Sequence, residues 1–185
     1  MNNEELRLLI GRIADRDKSA FDDFYRAMER PVFRFIRTKL NDPFLAADIL
    51  HDAFLEVWRG AGGFQDRSSV KTWIFSIAYR KVIDVFRKEA RFVGEEYLPD
   101  RADDAPDADQ CILATQEKAM LHHCLGVLKP DHRSAIELTF FEDMSYREVS
   151  EVIGVPEGTV KTRVFHAKSL LLRCLEAQMK PRARK

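Results

Sequence analysis

No run of this chain approaches the roughly 20 apolar residues of a membrane-spanning helix. The N-terminus, Met1-Asn2-Asn3-Glu4-Glu5, is polar and acidic and carries no apolar core of a secretory signal. Cysteine is scarce: Cys111, Cys124 and Cys174 are odd in number and unevenly spaced. That argues against a disulfide framework and fits a reducing, cytoplasmic location. The net charge is zero, so overall charge names no partner. There is no glycine-rich phosphate loop and no nucleophile elbow. His51-Asp52 lacks further His or Asp partners at ligand spacing and reads as a helix face. His122, His123 and Cys124 are consecutive, so on a helix they diverge by about 100° each and cannot close on one ion. Without a converging acid, base or metal set, the chain reads as a non-enzyme that needs no cofactor and no metal. No internal repeat is visible.

What is present is helical pattern and unevenly placed charge. The 185 residues, 45% hydrophobic, suffice for one large core or two small ones. Between Val155 and Lys185 stand eight Lys and Arg against Glu157 and Glu176; between Lys71 and Arg91 stand six against Asp84 and Glu89. Between Gly94 and Gln110 lie seven acids against Arg101. Two basic blocks therefore flank an acidic one. Basic blocks are footprints for phosphate, or else solvated helix faces.

The stretch 144–165 organises the rest. Ser145 and Glu148 stand at capping-box spacing, Val149, Val152 and Ile153 share a face, and Gly154 suits a left-handed helix end. Pro156 then suits the first turn of a new helix. Helix, short turn and second helix predict a helix-turn-helix. On the second helix Val160, Val164, Ala167 and Leu171 form an inward stripe. The opposite face carries Gly158, Thr162, Phe165, His166 and Ser169, flanked by Lys161 and Lys168. A helix entering the major groove needs such donors, small residues and an apolar atom for a thymine methyl. An ordinary helical hairpin with a solvated cationic face is the alternative.

In chain order, Glu4–Ala14 reads as an amphipathic helix. Asp17 or Ser19 caps a longer one through Leu40, where Pro31 predicts a kink or a break. Asn41-Asp42-Pro43 is a turn, with Asp42 able to cap a third helix over Ala46–Arg59. Gly60-Ala61-Gly62-Gly63 ends it. Ser68 or Ser69 starts a fourth helix that runs to about Arg91. Its core stripe is Val70, Ile74, Ile77 and Val85; its polar stripe is Thr72, Ser76, Arg80, Asp84 and Arg87. Trp73, Phe75, Tyr79 and Phe86 interleave with the cations, a pattern that suits single-stranded nucleic acid, although the stronger reading places most of these rings in a helical core. Residues 94–110, with Pro99, Pro106 and little apolar content, read as an extended linker. Helices over Cys111–Leu128 and Asp131–Phe141 then lead into the helix-turn-helix, and Pro181–Lys185 is a basic tail. The expected fold is all-α: two small helical domains, 1–92 and 112–185, joined by an acidic flexible linker over 93–111.

Three motifs in order carry a family resemblance. Residues Ala46 to Trp58 (AADILHDAFLEVW) resemble the core-binding helix of bacterial sigma factors. Residues Ser69 to Arg80 (SVKTWIFSIAYR) resemble their promoter-melting helix, and Gly158 to Arg163 (GTVKTR) the start of their second recognition helix. The short, two-domain chain is similar to the extracytoplasmic function (ECF) sigma factors.

That resemblance implies a specificity subunit of RNA polymerase that directs the core enzyme to promoters and aids their melting. The first domain would dock on the β′ clamp helices through Asp48, Asp52, Leu55, Glu56 and Trp58, acid and apolar anchors for a basic partner. The loop Phe64, Gln65, Asp66, Arg67 and Ser68 would take a flipped non-template base of the minus-ten element. Lys71, Arg80, Arg87 and Lys88 would pair with its phosphates, while Thr72, Ser76, Tyr79 and Asp84 read base edges or position the strand. In the second domain Thr159, Lys161, Thr162, Phe165, His166 and Lys168 would hold the minus-thirty-five duplex. His166 departs from the family, where an Arg is common; a neutral imidazole offers fewer donors, which puts one base preference in doubt. The β flap is a further polymerase contact, and the acidic linker would thread toward the active-site and RNA-exit channels. An anti-sigma factor, soluble or membrane-bound, is an implied partner, with no membrane insertion of this chain. The competing readings are a helix-turn-helix regulator without a polymerase role and a sigma mimic that binds an anti-sigma factor without initiating transcription.

Overall fold

A computed structural model describes residues 1–40, 42–93 and 112–179. Asn41, Cys111, the acidic linker from Gly94 to Gln110, Lys180 and the basic tail Pro181–Lys185 lie outside the described residues. Among those described, the regular structure is helical throughout: α1 (Asn3–Ala14), α2 (Lys18–Arg37), α3 (Pro43–Gly60), a short 3-10 turn (Ala61–Gly63), α4 (Val70–Val93), α5 (Ile112–Gly126), α6 (Pro130–Phe140), α7 (Tyr146–Ile153) and α8 (Glu157–Met179).

The helix starts follow local chemistry. Asn2 and Glu5 form a capping box on α1. Asp17, not Ser19, caps α2, accepting from the amides of Ser19 and Ala20. Asp42 caps α3 through Phe44 and Leu45, and Pro43 sits in the first turn where its missing N–H is harmless, so α3 begins three residues before Ala46. Ser69 accepts from the Thr72 amide at 3.1 Å and opens α4. Pro31 does not break α2, which runs unbroken from Lys18 to Arg37. Met28, Val32, Phe35 and Ile36 are buried on both sides of it, and that packing holds the helix across the lost hydrogen bond.

In the N-terminal half α2 packs on α1, α3 and α4, and α3 packs on α4. Phe24, Phe54, Phe75, Ile13, Ile36 and Ile74 are among the fully buried side chains. Phe54 meets Phe24 and Tyr25 at ring-centroid distances of 5.8 and 4.5 Å, within the range of favourable aromatic pairs. In the C-terminal half α8 is the hub, contacting α5, α6 and α7. The inward stripe is observed: Val160, Val164 and Ala167 are buried and Leu171 is partly buried against the core. Phe140, the last residue of α6, and Phe141, its C-cap, are 47% and 41% exposed; the buried apolar positions at that end of the helix are Ile136 and Leu138. The two halves touch, α4 lying against α7.

The cysteine expectation is also corrected. Cys124 of α5 and Cys174 of α8 form a disulfide across 50 residues of sequence. An odd cysteine count excludes a fully paired framework but not one bridge, and here the packing of α5 on α8 brings two of the three together. Cys124 is also a core residue, 1% exposed.

Candidate polymerase and nucleic-acid interfaces

The outer face of α3 is only partly free. Asp48, Asp52 and Leu55 are exposed, and among the described residues no cation pairs with either aspartate. Glu56 is instead paired with Arg80 at 3.1 Å and Lys81 at 3.2 Å. Trp58 packs its ring on Phe21 at 5.2 Å and lies beneath the Arg16 guanidinium, whose Nη1 also donates to the Trp58 carbonyl at 3.0 Å. Glu56 and Trp58 therefore brace α3 against α4, α2 and Arg16, while Asp48, Asp52 and Leu55 face outward.

The loop between α3 and α4 is built, not loose. Phe64 stacks on Trp73 at 4.9 Å. Asp66 has a φ of 56° and pairs with Arg7 of α1. An aspartate tolerates that left-handed conformation better than most residues. Gln65 and Arg67 are exposed, and Ser68 is half-buried. Asn3, Arg7, Asp66, Arg67, Ser68, Arg147 and Glu151 line an open hollow beside this loop.

Along α4 the expected strand-binding residues fall into two groups. Arg80, Asp84, Arg87 and Lys88 are exposed, Arg80 reaching Glu56 and Arg87 lying 3.5 Å from Asp84. The first turns are covered. Thr72 is 1% exposed. Lys71 Nζ donates to the Glu142 carbonyl at 2.6 Å and pairs with its carboxylate at 3.1 Å. The hydroxyls of Ser69 and Thr72 donate to Glu148 at 3.0 and 3.3 Å. Ser76 donates to the Thr72 carbonyl at 2.7 Å. Burial, with the nearby charge of Asp131, pushes the Tyr79 phenol above its ordinary value. Of the interleaved rings, Phe75 is fully buried and the others are half-buried, so the core reading of these aromatics holds.

Glu148 has two tasks. One carboxylate oxygen caps α7, accepting from the Ser145 amide at 2.9 Å and its hydroxyl at 2.8 Å; the other takes Ser69 and Thr72. Burial pushes this carboxyl up, but those hydrogen bonds outweigh it and leave it below its ordinary 4.5. A carboxyl depressed in the folded state contributes stability that is present above its unfolded value and lost as pH falls through the folded one. Wild-type stability should therefore fall more steeply below pH 4.5 than that of Glu148→Gln, by denaturant titration at a series of pH values. Parallel slopes would remove Glu148 from the acid transition.

The second interface lies on the helix-turn-helix. Its capping box is formed, and Gly154 takes a left-handed φ of 69°. A side chain there would be strained, so this glycine sets the angle between α7 and α8. Phe165 is 70% exposed. Lys161 and His166 are exposed beside it, Lys161 paired with Glu157 at 2.8 Å and Thr162 donating to the Gly158 carbonyl at 3.0 Å. Thr159 is half-buried. Lys168 is also exposed, its ammonium 4.4 Å from the centre of the Phe140 ring of α6.

Several residues that the sequence reading passed over support these faces. His132 of α6 stacks on His166 with ring centroids 6.3 Å apart, and Arg163 pairs with Asp131 at 2.6 Å. Burial, then the neighbouring His166, hold the His132 imidazole below its ordinary value. Buried Glu137 takes Lys39 and Arg133, each at 2.9 Å. The opposite charges of Arg133 and Glu137, four apart on α6, were the available signal of an internal pair. Among the described residues no group of His, Cys, Asp and Glu converges to hold a metal, and no helix is long and apolar enough to cross a membrane.

Comparison with known proteins follows the same two halves. Residues 24–92 match the family model of Sigma-70 region 2, and residues 118–171 match Sigma-70, region 4. The ECF RNA polymerase sigma factor SigK of Mycobacterium tuberculosis (strain ATCC 25177 / H37Ra) is 28% identical over 178 residues, covering 94% of this chain and 95% of that protein. SigK of Mycobacterium sp. (strain JLS) is 28% identical over 175 residues, covering 92% and 91%. Two solved structures share the fold. CnrH in complex with the cytosolic domain of CnrY has a TM-score of 0.68 at 22% identity, covering 94% of this chain and 98% of that one. The sigma factor RpoE in complex with the anti-sigma factor NepR, from Bartonella quintana, has a TM-score of 0.66 at 22% identity, covering 83% and 97%.

Proposed function

This chain belongs to the ECF family of RNA polymerase sigma factors, and from that premise we propose how its surfaces divide the work of promoter recognition. Residues 1–92 bind core polymerase and the minus-ten element, residues 93–111 link, and residues 112–185 bind the minus-thirty-five element. The observation that carries this reading is the outward face of α8: Lys161, Thr162, Phe165 and His166 stand exposed on the second helix of a helix-turn-helix. Donors and one apolar ring on such a helix fit base edges and a thymine methyl in the major groove.

The free acids of α3, Asp48 and Asp52 with Leu55, are the docking face for the basic β′ clamp helices; the β flap is the second polymerase contact. Arg80, Arg87 and Lys88 track the phosphates of the melted strand, and the loop Phe64–Ser68, fixed by Arg7 and Trp73, accepts its flipped base. The protein acts as a specificity subunit, without chemistry of its own. The solved relatives CnrH and RpoE are complexes with CnrY and the anti-sigma factor NepR. By analogy an anti-sigma partner, soluble or membrane-bound, covers the polymerase-binding surfaces of this chain until it is released.

The test mixes purified protein with core polymerase and a library of promoter fragments and sequences the transcripts. Initiation from fragments that share two spaced elements, dependent on protein and core together, is expected. DNA binding with no initiation would favour a regulator outside the polymerase, and neither activity from folded protein would favour a sigma mimic. On the promoters so found, Lys161→Ala and His166→Ala should each weaken minus-thirty-five recognition by about 1–3 kcal/mol. Unchanged promoter affinity in gel-shift titrations would take those side chains out of the interface.

A further inference from the structure

Two imidazoles meet on the recognition face of α8. His166 stands exposed on that helix, and His132 of α6 lies half-buried beside it. Their rings are nearly parallel, 21° apart, with centroids 6.3 Å from one another. Phe165 meets His166 edge-on at 5.7 Å. Two rings therefore limit where the His166 imidazole points. The pair is not symmetric. His132 Nδ1 is buried and has no hydrogen-bond partner among the described residues. A proton placed there would be an unpaired donor on a cation, which burial opposes. Burial, then His166 and Arg163, hold the His132 imidazole below its ordinary value. Other charged and titratable groups surround the pair. α6 brings Lys129 and Asp131, and Arg163 of α8 holds Asp131 at 2.6 Å. α4 sets the Tyr79 phenol near Asp131 and Arg163, and α7 sets the Tyr146 phenol near Lys161. Lys168 lies two residues beyond His166, over Phe140. α5 joins α8 eight residues further on, at Cys174, where its exposed His122 and His123 precede Cys124.

We propose that His132 positions the His166 imidazole on the recognition face, and that His166 takes up a proton when the minus-thirty-five duplex binds. This rests on the reading of α8 as the helix that enters the major groove. A neutral imidazole has one donor; an imidazolium has two donors and a positive charge. The phosphates of an approaching duplex favour the charged form, because opposite charges attract. Two imidazoles this close do not both charge readily, so the one with a buried, unpartnered nitrogen stays neutral and the exposed one takes the proton. His132 then serves as an uncharged ring against which the imidazolium is held. The bound state carries more protons than the free state. Affinity therefore rises as pH falls through the imidazole range, about pH 8 to 5, and levels off once free and bound forms are both protonated. A single proton limits the slope to about tenfold per pH unit. Promoter recognition is thereby tied to the pH around the protein through one side chain of the recognition helix.

The test uses holoenzyme made from the full-length chain and core polymerase, on a promoter fragment selected by the transcription assay above. Fluorescence anisotropy gives its affinity at fixed salt from about pH 8 to about pH 6. Taking the ratio of wild type to His166→Gln removes the titration of polymerase itself, since glutamine keeps a donor and an acceptor but takes no proton. That ratio should rise by about five- to tenfold as pH falls. A ratio constant with pH would overturn proton uptake. His166→Ala separates that failure from failure of the helix assignment. Affinity lost equally at every pH would leave His166 in the interface as a neutral contact; affinity unchanged at every pH would remove it from the interface altogether. Binding heats in two buffers of different ionisation heat count the protons. Wild type should take up more of them than His166→Gln, and equal counts would overturn the proposal. The same pH profile tests His132 as a positioning residue. His132→Phe keeps a ring without nitrogen and should retain the rise, whereas His132→Ala should lose most of it. A rise kept in His132→Ala, or lost in a folded His132→Phe, would overturn the positioning role.

Discussion

Reversing Asp48 and Asp52 to Lys together is expected to lower affinity for core polymerase by at least about a hundredfold. Like charges placed opposite one another at an interface cost several kcal/mol, and each 1.4 kcal/mol is a factor of ten. Both side chains are exposed and sit one turn apart on α3, with Leu55 completing the face. Because neither has a partner among the described residues, the reversal should leave the fold intact, as circular dichroism and thermal unfolding would report. Promoter binding through α8 should be preserved, since that surface lies in the other half. The contrasting variant is Glu56→Lys. It breaks contacts with Arg80 and Lys81 and should destabilise the N-terminal half as well as weaken binding. Native gel shifts of labelled protein on core polymerase measure both. Full binding by the double reversal would move the docking site off α3.

The difference between Asp48 and Glu56 shows what local reasoning reaches. A helical wheel places both on outward positions, and nothing within α3 separates them. The separation comes from α4, where Arg80 and Lys81 stand more than twenty residues later in sequence. Trp58 is the same case: an aromatic at the end of a helix reads as an anchor until Arg16, 42 residues earlier, is found over its ring. The helix-turn-helix was legible in nearly every detail because its determinants lie within a few residues of one another: Ser145 with Glu148, the αL glycine, and the stripe from Val160 to Ala167. Helix starts at Asp17, Asp42 and Ser69 were legible for the same reason. Thr72 marks the opposite limit. Its place on a polar stripe is local, but its burial belongs to α7 and Glu148, which only the tertiary arrangement brings to it.

The disulfide is the feature furthest from local pattern, and its removal should have the second large effect. Cys124→Ala with Cys174→Ala is expected to lower stability by about 2–4 kcal/mol. A bridge closing a loop of 50 residues removes unfolded-state freedom worth at most about 4 kcal/mol in the chain-entropy model. For a chain of this size that is a fall in Tm of roughly 5–15 °C. The effect should concentrate in α5, whose principal contact among the described residues is α8. Among the described side chains of α5, Leu121 and Leu125 join the apolar cluster, with Leu128 just beyond the helix end. α8 beyond Ala167 is mostly exposed, so it too loses its anchor in its last turns. Unfolding in the presence of reductant discriminates the cause. Reductant should bring wild type down to the variant and leave the variant unmoved. A variant as stable as oxidised wild type, or one that reductant still destabilises, would show that the bridge does not hold α5 to α8. Hydrogen exchange then locates the loss: faster exchange over 117–126 with unchanged rates in α6 and α7 is the expected pattern, because those two helices pack on the inward stripe of α8 rather than on α5.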